Sequence, residues 1–97
     1  MDDVRYKRVP LSMLREGEEG VITDIYGGRG LKLRLITLGF LEGKRVKVIE
    51  NRRGPLIVEI LPYYNLGRGT ESLIRRRGYR VILGKGAADK IYVRRGY

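Results

Sequence analysis

The stretch Gly27-Gly28-Arg29-Gly30-Leu31-Lys32-Leu33-Arg34-Leu35-Ile36-Thr37-Leu38-Gly39 decides the fold, because it places one helix in a chain that otherwise reads as short strands. Leu31, Leu35 and Leu38 recur at i, i+4 and i+7 with Lys32 and Arg34 interleaved, the period of an amphipathic helix. Gly39 is its natural C-cap, since a left-handed residue costs glycine little. The simplest assignment of the three leucines is the core face of that helix. Gly27-Gly28-Arg29-Gly30 follows a strand and opens the helix, a place where backbone N–H groups favour anions. Its spacing is not that of a phosphate-binding loop, which needs four residues between its glycines and then Gly-Lys-Ser/Thr, so it reads as a turn.

On either side the period changes to that of strands. Residues 19–26 hold the β-branched Val21, Ile22, Thr23 and Ile25, and residues 44–51 alternate Val46 and Val48 with Arg45, Lys47 and Ile49. A turn at Arg52-Arg53-Gly54-Pro55 leads to a strand over 56–61, which predicts a hairpin, and Pro62 stops it. Two more strands, 79–83 and 90–94, flank Gly84-Lys85-Gly86-Ala87-Ala88. Before the helix, residues 4–9 read as an extended lead ended by Pro10, and Ser12 as the cap of one turn over 13–16 closed by Gly17. The sum is a mainly β chain with one short helix, a small β-barrel. Residues 63–77, with Tyr63-Tyr64 and Arg75-Arg76-Arg77, read as a long loop or helical insert.

The 97 residues carry 21 Lys+Arg against 11 Asp+Glu, a formal charge of +10, with 42% hydrophobic residues. That is one domain's worth of chain with enough apolar surface to fold. No Cys and no His occur, so a disulfide, a thiolate and a Ser-His or Cys-His pair are unavailable within it, and neither enzyme activity nor a resident cofactor or metal is expected. Glu18-Glu19 read as a surface pair on opposite faces of a strand. No apolar run exceeds three residues where a membrane span needs about 20, and the acidic start Met1-Asp2-Asp3 is not that of a secretory signal. The absence of Gln, with 33% charged residues, matches heat-adapted composition, and the lack of Cys fits an intracellular compartment. Residues 1–61 carry 12 basic and 9 acidic side chains, residues 62–97 carry 9 and 2. This charge suits either nucleic acid or an anionic membrane surface touched by Arg75, Arg76 and Arg77. An apolar patch at Phe40 and Leu41 would mark a protein interface.

Pro10-Leu11-Ser12-x-Leu14-x-x-Gly17, Ile22-x-x-Ile25-x-Gly27-Gly28, Arg34-Leu35-x-x-Leu38-Gly39-Phe40-x-x-Gly43 and Val46-x-Val48 together resemble the FeoA family, and the strands 78–83 and 88–93 are similar to that family's end. The resemblance implies an SH3-like barrel and a cytoplasmic accessory of the ferrous iron transporter FeoB, acting by contact with the transporter's cytoplasmic GTPase part at the inner membrane surface. It implies a partner surface on Leu31, Arg34, Leu35 and Leu38 of the helix, or on Phe40 and Leu41 beyond it. The whole chain, 1–97, then reads as a single FeoA-like domain with an unusual insertion at about 62–77. A basic barrel that binds RNA or DNA is the alternative reading, and self-association through the insert a further expectation.

Overall fold

A computed structural model describes residues 7–62 and 78–95. Six strands form one antiparallel sheet: β1 (Arg8–Pro10), β2 (Glu19–Ile25), β3 (Arg45–Glu50), β4 (Leu56–Ile60), β5 (Tyr79–Leu83) and β6 (Ile91–Arg95), in the order β1-β6-β2-β3-β4-β5. Helix α1 (Arg29–Leu38) follows β2, and a single helical turn, α2 (Lys85–Ala88), lies between β5 and β6. This is the mainly β, SH3-like arrangement expected from the alternation of the strands. The two last strands are not partners: β5 pairs with β4, while β6 inserts between β1 and β2. Pro10, expected to end the extended lead, is the last residue of β1, opposite Tyr92, and a turn follows it directly. An edge strand tolerates the missing N–H.

Period-2 alternation puts one side chain in two on the inner face. Ile22, Val46, Val48, Leu56, Val58, Ile60, Leu83, Ile91 and Val93 are buried there in one cluster with Leu11, Leu14, Leu35, Phe40 and Ala88. The outer face carries charge in register across four strands: Glu19 opposite Lys47, Lys47 opposite Glu59, Glu59 opposite Arg80. Opposite charges directly across a ladder support the pairing, and Arg80 Nε lies 3.2 Å from Glu59 Oε1. Arg45 reaches Glu19 at 3.4 Å, and Arg8 pairs with Asp24. Shifts in register between Ile22 and Asp24, and between Val48 and Glu50, bend the sheet around its core.

The turn before β2 is built otherwise than its sequence predicts. A 3-10 turn covers Leu11–Met13 with Pro10 at its head, and the Ser12 hydroxyl donates to Asp89 of the distant α2 end in place of a local cap. Asn51 supplies the missing partners, its side-chain amide donating to the carbonyls of Ser12 (3.0 Å) and Leu14 (2.8 Å). Glu16 accepts from the Asn51 N–H (2.9 Å) and from Arg52 Nε (3.2 Å), and Glu18 accepts from the Arg15 N–H (2.7 Å) with Arg95 Nε 3.4 Å away. The Asn51 N–H first, then the Arg52 guanidinium, holds the Glu16 carboxyl below its ordinary value near 4.5. The Arg15 N–H, then Arg95, does the same for Glu18.

A carboxylate with a depressed folded pKa adds stability that is fully present above its unfolded value and is lost as pH falls through the folded one. Denaturant unfolding of the wild type should therefore lose stability below about pH 4.5. Glu16→Gln and Glu18→Gln together should be less stable at neutral pH and show a shallower acid limb. Equal acid limbs would show that these bonds do not contribute.

Candidate interaction surface on helix α1

Two glycines with positive φ fix the ends of α1. At Gly27 (φ +118°) a Cβ would stand 2.8 Å from Leu31 Cδ2, so the chain enters the helix pressed against a side chain of its own first turn. At Gly39 (φ +107°) the chain leaves it: the Gly39 N–H donates to the Ile36 carbonyl (2.9 Å) and the Phe40 N–H to that of Leu35 (2.9 Å), the paired bonds of a Schellman cap. The Tyr79 hydroxyl of β5 donates to the Leu38 carbonyl at 2.8 Å, and it stands only 2.0 Å from where a Cβ on Gly39 would be. Helix end and sheet edge are thus locked together.

This placement separates the residues expected to meet a partner. Leu35 and Phe40 are in the core at 2% and 0% exposure, so they hold the helix down, Phe40 also lining the floor of a groove beside it. Phe40 sits between turn-like residues in sequence, yet the Schellman turn drives it inward. Leu31 is half-buried against the core. Leu38, which the spacing assigns to the core stripe, is 40% exposed, and Arg34 and Leu41 are exposed as a contact residue would be. Arg75, Arg76 and Arg77, with the insert, lie outside the described residues.

Two residues that periodicity passes over complete the surface. Leu33, at 58% exposure, and Ile36 are apolar and lie off the 31/35/38 stripe, on the helix face turned to solvent. The signal was present in the sequence as apolar residues at positions an amphipathic helix gives to polar ones. Grooves run along both flanks of α1. One, about 520 Å³, is lined by Ile25, Lys32, Ile36, Phe40, Leu41 and Glu42; the other, about 380 Å³, by Leu33, Arg34, Thr37 and Leu38. The helix contains Arg29, Lys32 and Arg34 and no acidic residue.

Among the described residues no group of three or more Asp or Glu side chains is placed to hold a metal ion, and no helix is long and apolar enough to cross a membrane. The outer sheet face alternates positive and negative side chains from β2 to β5, so it does not offer a continuous phosphate-binding strip. Arg29, exposed on the glycine turn, opens α1.

The model of the FeoA domain matches residues 9–95. A protein of Methanocaldococcus jannaschii named "Putative Fe(2+) transport protein A" is 32% identical over 84 residues, 87% of this chain and 83% of that one. The crystal structure of an iron uptake regulatory protein, FeoA, matches with TM-score 0.72 at 28% identity, covering 93% of this chain and 100% of the other. A manganese-dependent transcriptional repressor matches with TM-score 0.71 at 22% identity over 92% of this chain and 37% of the repressor, a likeness of fold alone.

Burial sorts the helix region into two classes of substitution. Phe40→Ala should cost about 3–5 kcal/mol and Leu35→Ala about 2–5 kcal/mol of folding stability, whereas Leu33→Ala and Leu41→Ala should change it by about 0.5 kcal/mol or less. Gly39→Ala, strained by its φ and blocked by Tyr79, should be destabilising, and Tyr79→Phe should cost about 1 kcal/mol. Chemical denaturation of the six variants measures all of them, and a Phe40→Ala protein as stable as Leu41→Ala would refute the assignment of Phe40 to the core.

Proposed function

The chain belongs to the FeoA domain family, and from that premise we propose that it is a non-enzymatic accessory of ferrous iron transport. It binds the cytoplasmic part of a FeoB-type transporter and modulates iron uptake by contact, at the inner face of the membrane. The observation that carries this reading is α1: a helix anchored at both ends by glycine turns and Tyr79, with Leu33, Ile36, Leu38 and neighbouring Leu41 left in solvent. Exposed aliphatic groups beside grooves are what a protein interface buries. Iron is the transporter's cargo in this reading and never rests on the accessory. The chain has neither His nor Cys with which to hold ferrous iron through nitrogen or sulfur.

The contacts fall to Arg34, Leu38 and Leu41, with Leu31 at the foot of the helix and Leu35 and Phe40 acting from below as positioning residues. A rigid platform of this kind influences its partner by favouring one of the partner's conformations, and only to the extent that it binds that conformation better.

In a pull-down with the full chain immobilised, the cytoplasmic part of the cognate transporter should be retained at low salt. Leu41→Asp, which leaves the core untouched, should lower retention about tenfold or more. Absence of retention by the wild-type chain would sink the reading. Equal retention of Leu41→Asp would move the interface elsewhere.

A further inference from the structure

The charge of α1 is arranged differently from that of the sheet. Ion pairs join Asp24, Glu19, Glu16, Glu59 and Glu18 to Arg8, Arg45, Arg52, Arg80 and Arg95. Among the described residues, none of these pairs involves Arg29, Lys32 or Arg34. Arg29 and Lys32 stand in the first turn of the helix, where the dipole disfavours positive charge. Arg29 and Lys32 therefore cost the helix a little, and among the described residues no ion pair offsets the charge of any of the three.

Each groove has one of them. Lys32 lines the groove of Ile25, Ile36 and Leu41, and Arg34 lines the groove of Leu33, Thr37 and Leu38. Glu42 is the single carboxylate among the lining residues of the two. The grooves lie on opposite flanks of one helix, about 10 Å apart by the diameter of a helix. Leu33 stands between them, the most exposed apolar residue of the two linings.

We infer that α1 takes an acidic segment of a protein partner, which straddles Leu33 and sets one aliphatic side chain into each groove, with a carboxylate beside each to meet Lys32 or Arg34. The inference rests on the reading that the chain binds a transporter, and it specifies the chemistry of the segment bound. An anionic bilayer would satisfy the cations but would leave the grooves unfilled, since lipid presents no side chains of fixed spacing. Side-chain knobs entering grooves beside a ridge are the ordinary mode of protein packing. The charges steer and orient the encounter, and the two apolar anchors hold it.

The test measures affinity of the full chain for the cytoplasmic part of the transporter across a salt series, with Lys32→Glu, Arg34→Glu, Leu33→Ser and, as a control of equal charge change outside both grooves, Arg53→Glu. Melting curves first confirm that all four fold. The expected result is affinity that falls as salt rises, about tenfold weaker binding for each of the three α1 variants, and no more than about twofold change for Arg53→Glu. Wild-type binding with salt-independent affinity, or with Lys32→Glu and Arg34→Glu unaffected, overturns the acidic segment while leaving the partner reading intact. No wild-type binding at any salt removes that reading and this inference with it. A second arm uses vesicles of phosphatidylcholine with and without phosphatidylglycerol. Sedimentation with the anionic vesicles that Lys32→Glu and Arg34→Glu abolish would assign the helix to lipid and overturn the proposal.

Discussion

At Gly39 the backbone passes through a φ of +107°, and two hydrogen bonds from consecutive N–H groups close the last turn of α1 behind it. The Tyr79 hydroxyl then takes the Leu38 carbonyl that the helix leaves unpaired. With the helix end held in this way, Phe40 enters the core and Leu35 lies beside it. The rotation of α1 about its own axis follows, and with it the direction of every side chain it carries. Leu33 faces solvent because Leu35 cannot, and the two flanking grooves exist because the helix is held against the core by few side chains. A Cβ at Gly39 would oppose both the backbone conformation and the tyrosine that secures it.

The excess positive charge has an address that the net figure hides. Counted by thirds of the chain, it belongs to the later residues; counted by structure, the sheet spends its charges on one another and the helix does not. Glu19, Lys47, Glu59 and Arg80 alternate in sign across β2 to β5, which stabilises pairing and leaves little field for an anionic polymer. In α1 the same residue types have no carboxylate within the helix to answer them. A total of +10 is therefore a weak guide to partners, because it adds charges that are already used to charges that are not.

The strands were legible because burial on one face imposes a period of two, and Val46, Val48 and Val58 display it without interruption. The helix was legible from its leucines and its terminal glycine. What could not be read was which of its faces would be covered, since that depends on Phe40, Ile60 and Tyr79 approaching from other elements. Leu38 satisfied the core period and is exposed, because the cap turns the chain away just beyond it. Ser12 has the chemistry of a local cap, but Asp89, 77 residues distant, takes its hydroxyl, and Asn51 takes over the carbonyls of the turn. Side chains that bond across the fold leave no local pattern, so the N-terminal turn and the Tyr79 clasp were visible only in three dimensions.

A surface built this way has a physical reason to remain uncovered. Leu33, Ile36 and Leu41, about half exposed, each forgo roughly half of the ~1.5–3 kcal/mol that burial of a whole side chain yields. First-turn cations add a smaller penalty from the helix dipole. A barrel whose strands β3 and β4 keep their period could have placed polar residues at these positions without opening the buried cluster, because none of the three belongs to it. Local departures from pattern on an otherwise consistent fold are where function is ordinarily found. Among the described residues four of the eight exposed large apolar side chains, Leu33, Ile36, Leu38 and Leu41, lie on one ten-residue helix and just after it, interleaved with cations, whereas Met13, Tyr26, Tyr79 and Ile82 are scattered over other elements. Rigidity matters as much as composition: a pre-formed surface loses little entropy when its partner arrives, so modest apolar anchors and single charges suffice to make contact specific.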